Sequence, residues 1–360
     1  MDRQKRPHPT MRDVARRAGV STATVSHFLN GTRQVSKATS QRILEAMREL
    51  NYRPNLLARG LRSRQSRIIG LVISDISNPF FPEVARGCED ALAQHDYSLI
   101  LCNTDEDPAK EDRYLSVLWS KQVDGILLVP TSGGHATLRQ MLAAGLPVVY
   151  LDRELPDLPA TVVTSQNREG ARAATRLLLE RGHRHVAMIA GMPGLSTTTE
   201  RIAGYRDALA EAGIEPREGW VRCGYSNERA ARGATLALVK EQPEVTAIFA
   251  ANNTMTAGVL RTLDEIGKKD SVEVAGFDDM GWFGLQINPV VAVVQPAYEL
   301  GRIAAEELVA LLKGGERPPR RIRLPVEVSV NGSSRAAHDR NPERVAGSLG
   351  LSWREHPVGT

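Results

Sequence analysis

The chain has 360 residues, three cysteines and a net charge of +4 at pH 7, with 24% charged and 42% apolar residues. That length holds a small domain and about two larger ones, and the composition is that of a globular protein. No apolar run reaches the length of a membrane span, the basic N-terminus lacks the apolar core of an export signal, and Cys88, Cys102 and Cys223 lie too far apart for a metal knuckle, so a reduced, cytoplasmic protein without membrane contact is expected.

The first element is a short helix in which Val14, Ala15, Ala18 and Val20 bring apolar groups to one side. Gly19 supplies a sharp turn, and Ser21 is a good N-cap for a second helix. In that second helix Val25, Phe28 and Leu29 fall on one face, while Thr22, Ala23, Ser26 and His27 fall on the other. A third helix from Ser36 is expected to bury Ile43, Leu44, Met47 and Leu50. This is a helix-turn-helix unit. Residues 1–67 carry fifteen Lys/Arg against four Asp/Glu, a net of +11, which leaves −7 for the remainder. A basic head on an acidic body points to nucleic-acid phosphate as the head's partner.

From Ile68 the pattern changes to short apolar runs alternating with amphipathic helices. Strands are expected at 68–73, 98–102, 125–129, 148–151 and 162–163, with helices at 82–95, 112–121 and 137–144. The cycle restarts with helices at 169–181, 199–212, 228–241 and 255–266 and strands at 185–190, 221, 247–250 and 272–277. A helix at 298–312 and a strand at 326–330 are expected to cross back between lobes. The fold class is therefore α/β, an all-α head followed by two tandem parallel-sheet units with a ligand cleft at the carboxyl ends of their strands.

Four motifs in order carry a resemblance over residues 10 to about 335: Met11-Arg-Asp-Val-Ala-Arg-Arg-Ala-Gly-Val-Ser-Thr-Ala-Thr-Val-Ser26, Leu50-Asn-Tyr-Arg-Pro-Asn55, Asn78-Pro-Phe-Phe81 and Gly276-Phe-Asp-Asp279. The chain resembles the lactose/purine repressor (LacI–GalR) family of bacterial transcription regulators. The resemblance implies a head at 1–53, a hinge at 54–67 and a periplasmic-binding-protein-like body at 68–335, and the polar composition of the tail at 336–360 predicts disorder there. Lobe 1 is expected at about 68–163 plus 296–322, and lobe 2 at about 164–293 plus 323–335. It also implies a homodimer on a pseudopalindromic operator of double-stranded DNA. The tail lacks an apolar heptad, which favours a dimer over a tetramer.

By the same resemblance the second helix enters the major groove, where Thr22, Ala23 and His27 match base-reading positions, and Thr24, Ser26 and Asn30 suit phosphate. The segment Pro54–Ser63 matches the family's hinge helix, too short to be stable alone in water, with Arg59 at the DNA and Leu61 wedged into the minor groove. Gly60 departs from the small polar residue usual there and costs about 1 kcal/mol relative to alanine in a helix, so a more easily melted hinge is expected.

In the body, the Asn78-Pro-Phe-Phe81 loop, Asp152-Arg153, Arg201, Asn252, Asp278 and Gln295 fall at strand ends, a helix start or a crossover. The resemblance is to the ribose-binding branch, whose contacts match Asn78, Phe80, Phe81, Asp152, Arg153, Arg201, Asn252, Asp278 and Gln295. This set suits a small polyol: carboxylates accept from vicinal hydroxyls, arginine and amide groups donate, and aromatic plates sandwich the ring, with Trp282 a further face at the rim. The alternative is a purine or nucleoside, although Leu195, Ser196 and Thr197 lack the arginine of purine-responsive relatives, and Asn253 stands where aspartate is frequent. Phosphate-cradling, nucleophile-elbow and metal-ligand motifs are missing, so neither an enzyme nor a cofactor is expected.

Overall fold

A computed structural model describes residues 9–30, 33–52, 65–279, 291–314 and 317–330. Arg59, Gly60, Leu61, Trp282, the side chain of Asn30 and the tail from 336 lie outside the described residues. Contacts divide the chain into two units, Met1–Arg67 and Ile68–Thr360.

The head holds α1 (Met11–Ala18), α2 (Thr22–Asn30) and α3 (Lys37–Glu49). Thr10 caps α1 in a reciprocal box, accepting from the Asp13 amide while the Asp13 carboxylate accepts from the Thr10 amide at 2.9 Å. Gly19 closes α1 at φ 65°, a left-handed cap that glycine takes without strain. Ser21 accepts from the Thr24 amide at 3.0 Å, and Ser36 from the Thr39 amide at 3.2 Å, so each following helix starts at a hydroxyl. Val14, Ala15, Ala18, Val25, Ile43 and Ala46 form the core, with Phe28, Leu29 and Met47 packed on it. Leu44, expected inside, is exposed; the buried stripe of α3 runs Ile43, Ala46, Met47, Leu50, and Leu44 lies one position outside it.

The body contains β1 (Ile68–Ile73), α4 (Phe80–Ala93), β2 (Ser98–Asn103), α5 (Pro108–Ser120), β3 (Gly125–Leu128), α6 (Ala136–Ala143), β4 (Val148–Leu151) and β5 (Thr161–Ser165). It continues with α7 (Asn167–Glu180), β6 (Val186–Ala190), α8 (Ser196–Glu211), β7 (Val221–Cys223), α9 (Glu228–Glu241), β8 (Ala247–Ala250), α10 (Asn253–Glu265) and β9 (Glu273–Phe277). Last come β10 (Val291–Val294), α11 (Ala297–Leu312), β11 (Arg321–Leu324) and β12 (Glu327–Val330). One sheet has the order β11-β5-β4-β3-β1-β2 and the other β12-β10-β9-β8-β6-β7, so the second repeats the strand order of the first. All pairs are parallel except β10 with β12. The central strands are buried along nearly their whole length, as expected for a parallel sheet covered on both faces.

The chain passes between the sheets three times, after Ser165, after Val294 and after Leu324. Helix α11 returns to the first lobe and packs on α4 at glycines: a Cβ on Gly87 would lie 2.0 Å from the Tyr298 carbonyl oxygen, and one on Gly301 2.0 Å from that of Val84. Two short strands, β10 and β11, escape the sequence reading. The first is four residues followed closely by Pro296; the second, Arg-Ile-Arg-Leu, is an edge strand with no continuous apolar run. Phe80 and Phe81, expected in a loop, form the first turn of α4, and Arg201 lies in the second turn of α8, past its start.

Candidate functional site

The parallel strands of both lobes end at one cavity of about 370 Å³. Its wall contains Ser74 and Asp75 after β1, Glu106 after β2, Asp152 and Arg153 after β4, Ser226 after β7, Asn252 after β8, Asp278 after β9 and Gln295 after β10. This is where a doubly wound sheet offers a ligand crevice, because the strand ends leave backbone and short loops facing open space. All nine residues expected from sequence, Asn78, Phe80, Phe81, Asp152, Arg153, Arg201, Asn252, Asp278 and Gln295, line this cavity.

Asp152 and Asp278 occupy equivalent places in the two lobes, each just past its strand with a left-handed φ of 64° and 70°. Both are buried, and burial pushes both carboxyls up. Asp152 stays raised although Arg153 and Arg201 oppose the shift, and Asp278 is raised to about 6 despite Arg201 and a 2.6 Å hydrogen bond donated by Gln295. Arg201 donates to Asn167 Oδ1 at 2.8 Å and to the Ala251 carbonyl at 2.6 Å, and its guanidinium lies 3.7 Å from the centre of the Phe277 ring. Burial lowers its pKa, opposed by the charges of Asp278 and Asp152.

Arg153 is held from three sides. Glu106 accepts two hydrogen bonds from its terminal nitrogens at 2.5 and 2.7 Å, the Pro130 carbonyl accepts a third at 3.2 Å, and an Asp152 oxygen lies 3.4 Å from Nε. Burial works against this charge, and Glu106, Asp152 and Glu111 together outweigh it, so the Arg153 pKa is raised. Asp152 Oδ1, Arg153 Nε and Gln295 Oε1 are buried without a hydrogen-bond partner, a costly condition unless something else meets them.

Phe80 and Phe81 stand edge to face, centroids 5.1 Å apart at 78°, so the two cannot be parallel plates on either side of one ring, contrary to expectation. Asn252 caps α10 by accepting from the Met255 amide at 2.8 Å and donates to the Ser226 carbonyl at 3.2 Å. Much of its capacity thus goes into shaping the wall. Asn78 belongs to the first lobe and accepts from Asn253 of the second at 2.8 Å. The lobes are further joined by Ser196 accepting from the Glu154 amide at 3.1 Å and by Arg323 with Glu200 at 2.7 Å.

Sequence reasoning missed Glu106, Thr197, Thr198, Tyr225 and Ser226 in this wall. The signal was the duplication: Asp105 and Glu106 follow β2, and Tyr225 and Ser226 follow β7, as consecutive left-handed pairs at equivalent places.

In the head, Thr22 and Ala23 are exposed at the start of α2, and Thr24, Ser26 and His27 are half-buried along it. The exposed first turn follows from the apolar face of α2 being consumed by Val25, Phe28 and Leu29. Among the described residues no helix is long and apolar enough to cross a membrane.

A helix-turn-helix head joined to a two-lobed body with a cavity at its strand ends defines a DNA-binding regulator controlled by a small ligand. The comparisons with known proteins assign it further. Residues 10–55 match a family described as bacterial regulatory proteins, lacI family, and residues 66–331 match periplasmic binding proteins and sugar binding domain of LacI family. The chain belongs to the lacI family of bacterial transcription regulators, which are not enzymes. It is 35% identical to a ribose operon repressor of Halalkalibacterium halodurans, over 92% of this chain and 98% of that one. It is 36% identical to an HTH-type transcriptional repressor PurR of Photobacterium profundum, over 90% of this chain and 98% of that one. A lac repressor dimer bound to operator and an anti-inducer superposes with a TM-score of 0.78 at 25% identity, covering 90% of this chain and 99% of that one.

Proposed function

We propose that the protein is a cytoplasmic homodimeric repressor whose operator affinity is set by a free pentose or related polyol held between its lobes. The observation that carries the reading is the convergence of Asp152, Asp278, Arg153, Arg201 and Gln295 on one cavity, with acceptor and donor atoms of three of them still unpartnered. Two carboxylates from opposite lobes accept from vicinal hydroxyls, and two arginines and an amide donate to hydroxyl or ring oxygens. The ribose repressor relative supports the sugar class. Thr22, Ala23 and His27 on α2 read base edges, Thr24, Ser26 and Asn30 meet phosphate, and Arg59 and Leu61 act from a hinge at 54–67. The division of the body into two lobes belongs to the same proposal, with its boundaries taken after Ser165, Val294 and Leu324 in place of 163/164, 293/296 and 322/323, because β5 and β11 run through the first and last of those points.

Effector bridging the two lobes changes their relation and, through it, the separation of paired hinges. The coupling is a difference in affinity, typically about 1–3 kcal/mol, and it works in both directions. The test is a thermal-shift screen of the full chain against pentoses, hexoses, polyols, purines and nucleosides, followed by operator retardation with each hit. A ligand at 100 times its Kd stabilises the folded state by about 2.7 kcal/mol. Stabilisation by a free pentose that also changes retardation is the expected result. Stabilisation by purines alone would transfer the protein to the purine-responsive class that the second relative represents.

A further inference from the structure

Charge in the cavity wall is unevenly matched. Five carboxylates, Asp75, Asp105, Glu106, Asp152 and Asp278, face two guanidiniums, Arg153 and Arg201. A cavity built for an anionic effector would present an arginine fork, because two parallel N–H groups fit a carboxylate or phosphate edge. Arg201 has the Nε side of its fork closed, since Nε and Nη1 already donate to Asn167 and the Ala251 carbonyl and its face is turned to Phe277. Arg153 could offer one, but both of its terminal nitrogens already hold Glu106. Glu106 is thus an internal carboxylate seated where a ligand carboxylate would bind.

From this geometry we infer that Glu106 is a specificity-determining residue: by occupying the Arg153 fork it excludes sugar acids and sugar phosphates and restricts the cavity to neutral polyols. The backbone is arranged to put it there. Asp105 and Glu106 take consecutive left-handed conformations at φ 53° and 59°, and the loop is pinned by the Asn103 side chain, which donates to Asp105 at 2.6 Å and accepts from the Ile76 amide at 2.8 Å. Asp107 then caps α5, accepting from the Ala109 amide at 2.8 Å, so Glu106 is fixed between two anchored neighbours. The pair is well shielded, with side-chain exposures of 7% for Arg153 and 16% for Glu106, and water competes weakly for it. Removing the Glu106 charge leaves Arg153 with an open edge, with Asp152 as its remaining ion-pair partner and Glu111 acting on it from farther away.

The inference rests on the cavity being the effector site, and its test separates the two. Glu106→Gln and Glu106→Asp are compared with wild type in the full chain, using sulfate as an anion probe and D-ribose and D-ribonate as a neutral and acidic pair. For sulfate, Glu106→Gln should show a saturable thermal stabilisation of several degrees beyond wild type. Glu106→Asp should not show it, and the double variant Glu106→Gln/Arg153→Met should lose it. Sulfate curves of wild type and Glu106→Gln that superimpose would overturn the inference whatever the natural effector is. For the sugars, the preference for ribose over ribonate should narrow at least tenfold in Glu106→Gln and be restored in Glu106→Asp. A wild type that prefers ribonate would also overturn it. Ribose binding that survives Asp278→Asn unchanged would instead overturn the effector-site reading, and the sulfate result would still decide the role of Glu106.

Discussion

Asp278, proposed to meet the ligand, lines the cavity at a cost to the fold. Burial raises its carboxyl to about 6, above the value near 3.9 of an unfolded chain. With the folded value above the unfolded one, ionisation favours unfolding: the contribution to stability is intact below about pH 4 and is lost as pH rises through about 6. Asp278→Asn should therefore stabilise the ligand-free protein by ~3 kcal/mol at pH 8, with about half of that left at pH 5. It should also abolish the effector response. Thermal unfolding at the two pH values checks this, and a variant less stable than wild type at pH 8 would show that the Arg201 pairing outweighs burial. On α2, His27→Ala should weaken operator binding about 10- to 100-fold and leave binding to random DNA unchanged, measured by retardation at one salt concentration. Much of the cleft was legible at this scale because most of the side chains that line it sit at strand ends, which the apolar runs mark. Glu106 was not, since an acidic Asp105-Glu106-Asp107 run reads as a solvated turn until the fold places Arg153 opposite it.

At the scale of elements, most strands were legible from continuous apolar runs, β10 and β11 excepted, while most helix starts were read late. The helices α5 and α10 begin at Pro108 and Asn253, directly after the caps Asp107 and Asn252, ahead of the starts at 112 and 255 expected from the apolar period. The first turn of a helix is fixed by side-chain caps and not by burial, so periodicity alone misses it. The same lateness placed Phe80 and Phe81 in a loop, although their edge-to-face packing belongs to the first turn of α4. Close packing of α4 on α11 depends on having no side chain at the contact. Gly301→Ala should cost at least about 2 kcal/mol, because its Cβ would meet a backbone carbonyl that no rotamer can move aside. Chemical unfolding of the full chain measures it, and a loss under 0.5 kcal/mol would mean the two helices part freely. In the proposed hinge at 54–67, Gly60→Ala should favour helix formation by about 1 kcal/mol per chain and tighten operator binding accordingly. Unchanged retardation would argue that residues 54–67 act only as a linker.

For the whole body, two repeated sheets make a cavity only if something registers one lobe against the other, and Asn253 with Asn78 does so from buried positions. Backbone groups fix how both amides point. Asn78 Oδ1 accepts from the Phe80 amide at 3.0 Å, and Asn253 Oδ1 accepts from the Thr254 amide at 2.7 Å. The Asn253 nitrogen is left to donate across the lobes, onto the same Asn78 oxygen. An aspartate at 253 has no proton to give, so two oxygens would face each other across the contact. Yet residue 253 is the first of α10, where the helix N-terminus favours a negative charge by about 0.3–1 kcal/mol, which offsets part of the loss within the second lobe. Asn253→Asp is thus expected to act on the relation between lobes more than on folding. The lost bond and the unpaired acceptor together weaken the joined form by about 1–3 kcal/mol. Because effector binding is linked to that form, the effector concentration for half-maximal response should rise about tenfold or more, with operator affinity in its absence little changed. Titrating operator retardation with effector for wild type and variant measures the shift. Coincident curves would mean that the lobes are registered by Ser196 and Glu200 on α8 and not by Asn253.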